Sequence, residues 1–146
     1  MSDATLASSV FVDANDAITF ASSLLTGQGV SGAHAAAIAT CLVQADLRGV
    51  HTHGMSRLPI YVKRVKRGLV NPTPSMKLTK PTATCASLDG DNGFGFLVGI
   101  RAMREAIEMA ETFGVGVVSA HNSNHFGMAA SYLLQAVTAG YFAFVF

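Results

Sequence analysis

Apolar residues recur first at helical spacing and then in alternating helical and strand-like runs, a pattern typical of α/β proteins. Asp13 is predicted to cap a first helix that runs to about Thr26, and Ser31 is predicted to cap a second. The second helix carries apolar residues at helical spacing, namely Ile38, Leu42 and Ala45. The first part of the chain is therefore expected to be helical.

A third helix is predicted to begin at Ser56, with Pro59 in its first turn and Gly68 near its end. The segment Asn-Pro-Thr-Pro over 71–74 follows it as a rigid connector. The face of this helix that should be buried carries Leu58, Val62, Val65 and Leu69.

Short strands and further helices are predicted after the connector. Two strands over 76–80 and 83–89 should form a hairpin broken by Pro81, and a helix over 94–113 should end at Gly114. The remaining elements are a buried strand over 114–120, a loop over 121–127, a helix over about 128–138 and a buried strand over 141–146. The chain is thus expected to have a helical segment over 1–75 followed by an α/β segment over 76–146.

The composition excludes several classes of protein. Half of the 146 residues are hydrophobic and 13% are charged, so the chain is too apolar to be disordered. This apolar surplus favours an oligomer, or a domain that packs against a further partner, over a monomer with a large core. The net charge of +1 gives no reason to expect nucleic acid or an anionic membrane as a partner.

A cytoplasmic protein is the expectation from the termini, the apolar runs and the cysteines. Residues 1–16 lack the charged and then apolar regions of a signal peptide, and no apolar run approaches the ~20 residues of a membrane span. Cys41 and Cys85 lack metal-binding spacing, so both are expected to be buried thiols in a reducing compartment.

Candidate chemistry is concentrated in the segment over 44–72. His53, Arg57 and Tyr61 are spaced i, i+4 and i+8, so on a helix they would lie along one face. An arginine can bind a carboxylate with two parallel hydrogen bonds, and a histidine can exchange a proton near neutral pH. These three residues are therefore a candidate site for a small organic anion.

Four residues of the same segment are basic and close together: Lys63, Arg64, Lys66 and Arg67. On the predicted helix they point away from the apolar face. A solvated surface is the favoured interpretation, and a phosphate or nucleic-acid patch is the minor one.

A second polar cluster, HNSNHFG over 121–127, supplies two more histidines and two asparagines. Together with DLRG over 46–49, Thr52-His53-Gly54 with Arg57, and DGDNGFG over 89–95, it resembles the malate/L-lactate dehydrogenase family. That family does not use a Rossmann fold. The four blocks occur in the order that the family shows, and relatives are more than twice as long. The chain therefore resembles the N-terminal part of such an enzyme, and its α/β segment the first part of the nicotinamide-binding domain.

The resemblance implies a role for each site residue. His53 would belong to the acid/base group, with His125 as its rival for proton transfer. Arg57 would bind the substrate carboxylate, while Thr52 and Tyr61 would orient substrate or cofactor through their hydroxyl groups. The residues expected against the cofactor are Asn124, His125, Phe126 and Gly127.

The implied activity is the interconversion of a 2-hydroxy acid and a 2-oxo acid with NAD or NADP. The implied partners are a small carboxylate substrate and a second copy of the chain. The block over 89–95 is not a dinucleotide fingerprint, because a third glycine is due where Val98 stands, so a turn leading into a helix is expected there.

One departure from the family pattern leaves an alternative open. The family usually has aspartate where this chain has His51, and loss of that carboxylate could leave His53 less well oriented. The change gives four imidazoles in two segments, His51, His53, His121 and His125, so a zinc or copper site is a second hypothesis. A non-catalytic oligomerisation or regulatory piece is a third hypothesis, because the resemblance implies that a lysine and several cofactor contacts of the family lie beyond Phe146. It would bind nicotinamide weakly or not at all.

Overall fold

The computed structural model describes residues 11–146 and has an α/β architecture. The expectation about a signal peptide therefore lies largely outside the described residues. The helices are α1 (Ala14–Thr26), α2 (Gly32–Leu47), α3 (Leu58–Lys66), α4 (Gly95–Phe113) and α5 (Ala130–Thr138). The strands are β1 (Lys77–Thr79), β2 (Cys85–Gly93) and β3 (Val117–Ser123).

Helices α1 and α2 begin as the sequence predicts. The Asp13 carboxylate accepts hydrogen bonds from the backbone N–H groups of Asn15 and Asp16, and the Ser31 hydroxyl accepts one from His34. These bonds satisfy donors that the first turn of a helix leaves free. The apolar positions predicted for α2 are all buried: Ile38, Leu42 and Ala45.

The predicted start of the third helix is wrong. Helix α3 begins at Leu58 rather than Ser56, because the extended backbone of Gly54 separates two short 3₁₀ turns, His51–His53 and Met55–Arg57. The Ser56 hydroxyl donates to the carbonyl of His51 instead of capping the helix. Pro59 does lie in the first turn of α3.

The predicted buried face of α3 is only partly correct. Leu58 is buried, but Leu69 is 50% exposed and the two valines of this face are half-buried. Tyr61 is 4% exposed and occupies the core position that the pattern did not identify. It packs edge-on against the rings of Phe94 and Phe96.

The three strands form one mixed sheet in the order β1–β2–β3. Strand β1 pairs antiparallel with β2, with Leu78 opposite Leu88, which confirms the predicted hairpin. Strand β3 pairs parallel with β2, and α4 makes the crossover between them. Because β2 and β3 are parallel, their carboxyl ends meet at one edge of the sheet.

Two predicted buried strands are corrected by the structure. Strand β3 exists, but it is largely exposed, and Val117 is 54% exposed. Residues 141–146 are not a strand within the described part of the chain, where they have no strand partner. Every second side chain there packs against Met103 and Tyr132, whereas Phe142, Phe144 and Phe146 are exposed.

The main core combines residues from the helical segment and from the start of α4. Leu25, Ile38, Tyr61, Phe94 and Phe96 belong to this single apolar cluster. The division of the chain at residue 75 stays a prediction.

Cys41 is buried in the main core, but Cys85 is only half-buried, contrary to expectation. Among the described residues, no helix is both long enough and apolar enough to cross a membrane.

Candidate active site

The polar block over 89–93 is the end of strand β2, not a separate turn before a helix. Asp91 and Asn92 both have positive φ, at 48° and 52°, where the β2–β3 register is irregular. The Asp89 carboxylate accepts hydrogen bonds from the Asp91 backbone N–H and the Asn122 side-chain amide, each at 2.9 Å. These bonds keep the pKa of Asp89 below its ordinary value and join the ends of β2 and β3.

The segment after β3 turns back over the start of α4. This approach requires a glycine at position 95, where an added Cβ would overlap the carbonyl oxygen of Asn124 and lie 2.6 Å from that of His125. Gly95 therefore lets the backbone of the His125 loop lie directly on the first turn of α4.

We expect Gly95→Ala to lower the free energy of unfolding by about 1–3 kcal/mol, because the overlap is with backbone that cannot move independently. Gly32→Ala is a matched control, since Gly32 is also the first residue of a helix and has no atom within 4 Å of the added Cβ. We expect Gly32→Ala to be neutral or to stabilise by up to about 1 kcal/mol. Denaturant unfolding measures both, and equal effects would contradict the proposed close approach.

Tyr61 and His125 meet at the centre of the site. The Tyr61 hydroxyl lies 2.9 Å from Nδ1 of His125, and the Gly127 backbone N–H lies 3.3 Å from the same nitrogen. Burial raises the pKa of Tyr61, although Arg57 and Arg64 oppose this, so the phenol is protonated at neutral pH. Because a backbone N–H can only donate, Nδ1 is the acceptor and the neutral His125 ring carries its proton on Nε2.

His53 lies against His125 although it is far from it in sequence. The two imidazole rings stack with centroids 5.4 Å apart and an interplanar angle of 23°. The Thr52 hydroxyl lies 2.9 Å from Nδ1 of His53 and can either donate or accept there. The pKa of His125 is held below its ordinary value, mainly by partial burial. The nearby His53, Arg57 and Arg64 contribute smaller effects in the same direction. The structure thus brings His53, Tyr61 and His125 together.

Arg57 lies beside this group but not on the helical face that the sequence predicts. His53 belongs to a 3₁₀ turn, so the i, i+4, i+8 face does not form. Arg57 immediately precedes α3, and its Nε donates to the carbonyl of Thr52 at 2.6 Å. Its terminal nitrogens form no hydrogen bond with the described residues, and the side chain is exposed.

Arg64 contacts the candidate site, although the sequence prediction assigned it to a solvated surface. It is half-buried, and its Nη2 donates to Oδ1 of Asn124 at 2.8 Å. Tyr61 and Arg64 are spaced i and i+3 within α3, so they share a helical face. That spacing was the signal that could have separated Arg64 from its exposed neighbours Lys63, Lys66 and Arg67.

Three residues expected against the cofactor make contacts inside the protein. The Asn124 amide bonds to Arg64 and to the end of β2. Phe126 is half-buried and stacks on Tyr132, whose hydroxyl donates to the Phe126 carbonyl. Gly127 is buried with φ 72°, and an added Cβ would overlap the Phe96 ring. Of the four expected cofactor residues, His125 alone is exposed.

His51, which replaces the usual aspartate, pairs with a carboxylate from another position. Its Nδ1 lies 3.0 Å from Oδ1 of Asp46, whose Oδ2 accepts the Met55 N–H at 2.7 Å. Asp46 therefore ties the two 3₁₀ turns together, a role that was not recognised in the sequence. An added Cβ on Gly54 would overlap this carboxylate, which explains the glycine between the turns.

The four-histidine metal site is not assembled. His53 and His125 stack, but His51 binds Asp46 and His121 lies near Asp89. In the part of the chain that the structure describes, no group of three or more His, Cys, Asp or Glu side chains could hold a metal ion.

Comparison with known proteins identifies related sequences over nearly the whole chain. The family model described as malate/L-lactate dehydrogenase matches residues 12–146. The chain is 40% identical to malate dehydrogenase of Pyrococcus abyssi over 131 residues, covering 90% of the chain and 36% of that protein. It is 35% identical to ureidoglycolate dehydrogenase (NAD(+)) of Escherichia coli, covering 77% of the chain and 32% of that protein.

Solved structures show the same similarity. Malate dehydrogenase from Pyrococcus horikoshii superposes with a TM-score of 0.87 at 40% identity, covering 90% of this chain and 38% of that one. Sulfolactate dehydrogenase from Methanocaldococcus jannaschii gives 0.86 at 37% identity, covering 88% and 38%. The chain spans about a third of the length of the relatives it matches. It belongs to the malate/L-lactate dehydrogenase family.

Proposed function

We propose that this chain forms the substrate-binding, N-terminal part of a nicotinamide-dependent 2-hydroxyacid dehydrogenase. The observation that carries the proposal is the cluster of His53, Tyr61 and His125 beside the exposed guanidinium of Arg57. Relatives are named for malate, sulfolactate and ureidoglycolate. Each of these compounds has a carboxylate next to a carbon that bears a hydroxyl group, and Arg57 has the chemistry to bind that carboxylate.

Arg57 would hold the carboxylate through its two terminal nitrogens. Its Nε is already committed to the Thr52 carbonyl, which orients the guanidinium and leaves its outer edge available. A guanidinium and a carboxylate form two parallel hydrogen bonds in this arrangement. Binding there would place the adjacent carbonyl carbon of a 2-oxo acid near the histidine pair.

The two histidines would share the chemistry at the substrate oxygen. Reduction of a 2-oxo acid adds a hydride to carbon 2 and a proton to its oxygen, giving the 2-hydroxy acid. His125 has Nδ1 occupied as an acceptor, so its Nε2–H suits hydrogen bonding to the substrate oxygen. His53 has Nδ1 against a hydroxyl that can reverse its role, so its ring can gain or lose a proton. We assign proton transfer to His53 and oxygen stabilisation to His125.

A nicotinamide cofactor would supply the hydride. Of the four residues expected to bind it, His125 has an exposed ring, whereas Asn124, Phe126 and Gly127 are engaged within the protein. The available groups therefore fit the reacting end of a cofactor beside His125 and offer no evident site for its phosphates. We propose that this chain contributes little of the cofactor-binding surface. No described residue favours NAD over NADP.

A homodimer in the cytoplasm completes the proposal. Exposed aromatic side chains at Phe11, Phe142 and Phe144 agree with the apolar surplus of the sequence and support a further packing partner. The partner proposed for the site itself is a small carboxylate.

The 146-residue chain alone is expected to bind NADH and NADPH weakly or not at all. The reason is that only His125 offers exposed chemistry among the residues expected to hold the cofactor. Isothermal titration calorimetry of the purified chain with each cofactor measures the dissociation constant. A micromolar dissociation constant for either cofactor would contradict this prediction.

Dehydrogenase activity is tested with the protein isolated from its source, after its intact mass has been compared with the 15.2 kDa of this chain. A mass more than twice that value is expected if the enzyme is complete. Oxidation of NADH and NADPH is then followed with a panel of 2-oxo acids and with matched ketones that lack the carboxylate. Activity on the 2-oxo acids alone is expected, and equal activity on the ketones, or none at all, would overturn the proposal.

A further inference from the structure

We infer that Arg64 is a positioning residue that, through Asn124, fixes the His125 loop against α3, the helix that carries Tyr61 and directly follows Arg57. Hydrogen bonds between described residues form this link, whereas its effect on catalysis rests on the proposed function. It would set the distance between the carboxylate-binding group and the histidine that faces the substrate oxygen.

The Asn124 side chain is held at both ends of its amide. Its Oδ1 accepts from Nη2 of Arg64 at 2.8 Å. Its Nδ2 is within hydrogen-bonding distance of the carbonyl and Oδ1 of Asn92, both at 3.0 Å, and of the Gly93 carbonyl at 3.1 Å. The amide cannot rotate without losing bonds on both sides. It therefore connects α3 to the end of β2.

Asn124 transmits this connection to His125, the next residue. The carbonyl oxygens of Asn124 and His125 already lie against Gly95 at the start of α4. The His125 loop is thus held by two contacts, its backbone against Gly95 and the hydrogen bond from Arg64 to Asn124. A hydrogen bond from a charged guanidinium is about twice as strong as a neutral one, so losing it should release one side of the loop.

The position of Arg64 on α3 makes it suited to this role. It lies one turn beyond Tyr61 on the same face of α3, and Tyr61 contacts His125 directly. Two bonds from one helical face therefore hold the loop, one to His125 and one to Asn124. Arg67 is exposed and makes no side-chain hydrogen bond within the described part of the chain.

The charge of Arg64 also acts on the site. Burial, and then the nearby His53, Arg57 and Arg64 itself, hold the pKa of His125 below its ordinary value. Removing the charge should therefore raise the pKa of His125, whereas Arg64→Lys keeps the charge. A comparison of Arg64→Lys with an uncharged substitution at the same position therefore distinguishes two effects of Arg64: holding the loop in place, and lowering the pKa of His125 by its charge.

The test uses Arg64→Met, Arg64→Gln and Arg64→Lys, with Arg67→Met as the matched control. NMR of the chain measures the nuclear Overhauser effect between the Tyr61 and His125 rings and the pH titration of His125. In Arg64→Met and Arg64→Gln we expect the ring contact to weaken and the His125 midpoint to rise. Arg64→Lys should keep the midpoint and recover part of the contact, and Arg67→Met should match the unsubstituted chain.

In the complete enzyme, Arg64→Met should lower kcat about 100-fold, because a shift of ~1 Å in a reacting group has an effect of that size, with little change in KM for the 2-oxo acid. If Arg64→Met does not fold, the same quantities are measured in Arg64→Gln. Unchanged ring contact and kcat in the uncharged variants would overturn the inference. If the ring contact weakens but no variant and no unsubstituted protein shows dehydrogenase activity, the positioning link stands and the proposed function fails.

Discussion

Replacing Arg57 with alanine in the complete enzyme is expected to raise the KM for 2-oxo acids by about 10- to 100-fold. The reason is that a hydrogen bond to a charged group contributes about 1.5–3 kcal/mol, and each 1.4 kcal/mol is a factor of ten. The KM for the cofactor should change little, because the proposed contact is with the substrate carboxylate. Steady-state kinetics with each substrate varied in turn measures both constants.

Two further substitutions control this experiment. Arg67→Ala removes an exposed cation from the opposite end of α3 and should leave both constants unchanged. Arg57→Lys keeps the charge but cannot make two parallel hydrogen bonds, so it should recover only part of the affinity. An equal rise in KM for substrate and cofactor in Arg57→Ala would contradict the assigned role.

The helix starts that were predicted correctly depend on contacts within a few residues. Asp13 and Ser31 bond to backbone N–H groups two or three positions away, so their identity and spacing contain the information. Ser56 carried the same local signal but was wrong as a cap. The carboxylate of Asp46 draws the two 3₁₀ turns together and the helix begins two residues later than predicted. A contact over nine residues thus overrode a local preference.

Burial was predicted less well than secondary structure, because burial depends on what covers an element. The apolar run of β3 indicated a strand correctly, but its side chains are exposed within the described fold. Residues 141–146 show the same effect, since a strand needs a hydrogen-bonding partner as well as an alternating pattern. Periodicity reports which side chains can be buried, and only tertiary contacts decide which ones are.

The sequence named candidate histidines that the structure brings together, and it missed the residues that hold them there. His53, Tyr61 and His125 were identified from side-chain chemistry and the resemblance to a family, and the structure brings them together. Arg64 was missed because it lies within a basic cluster typical of a solvated surface. Its partner Asn124 is 60 positions away, so local sequence carries no sign of the bond.

Replacement of the two histidines is expected to have unequal effects. His53→Gln should lower kcat by about 10²- to 10⁴-fold, the usual contribution of a general acid or base, because glutamine cannot exchange a proton. His125→Gln should lose less, since the glutamine amide can still donate a hydrogen bond near the position of Nε2. This difference follows from the bonds at Nδ1, where His125 accepts from a backbone N–H and His53 meets a hydroxyl that can reverse.

The pH dependence provides the control for this assignment. Because the pKa of His125 lies below its ordinary value, the neutral ring with its Nε2–H is the main form at pH 7. A protonated Nδ1 could no longer accept the hydrogen bond from Gly127. The enzyme should therefore lose activity through protonation of His125 only below about pH 6.5. That acidic limb should be absent in His125→Gln. If His125→Gln instead costs more in kcat than His53→Gln, proton transfer belongs to His125, and the stacked His53 ring serves to hold it in place.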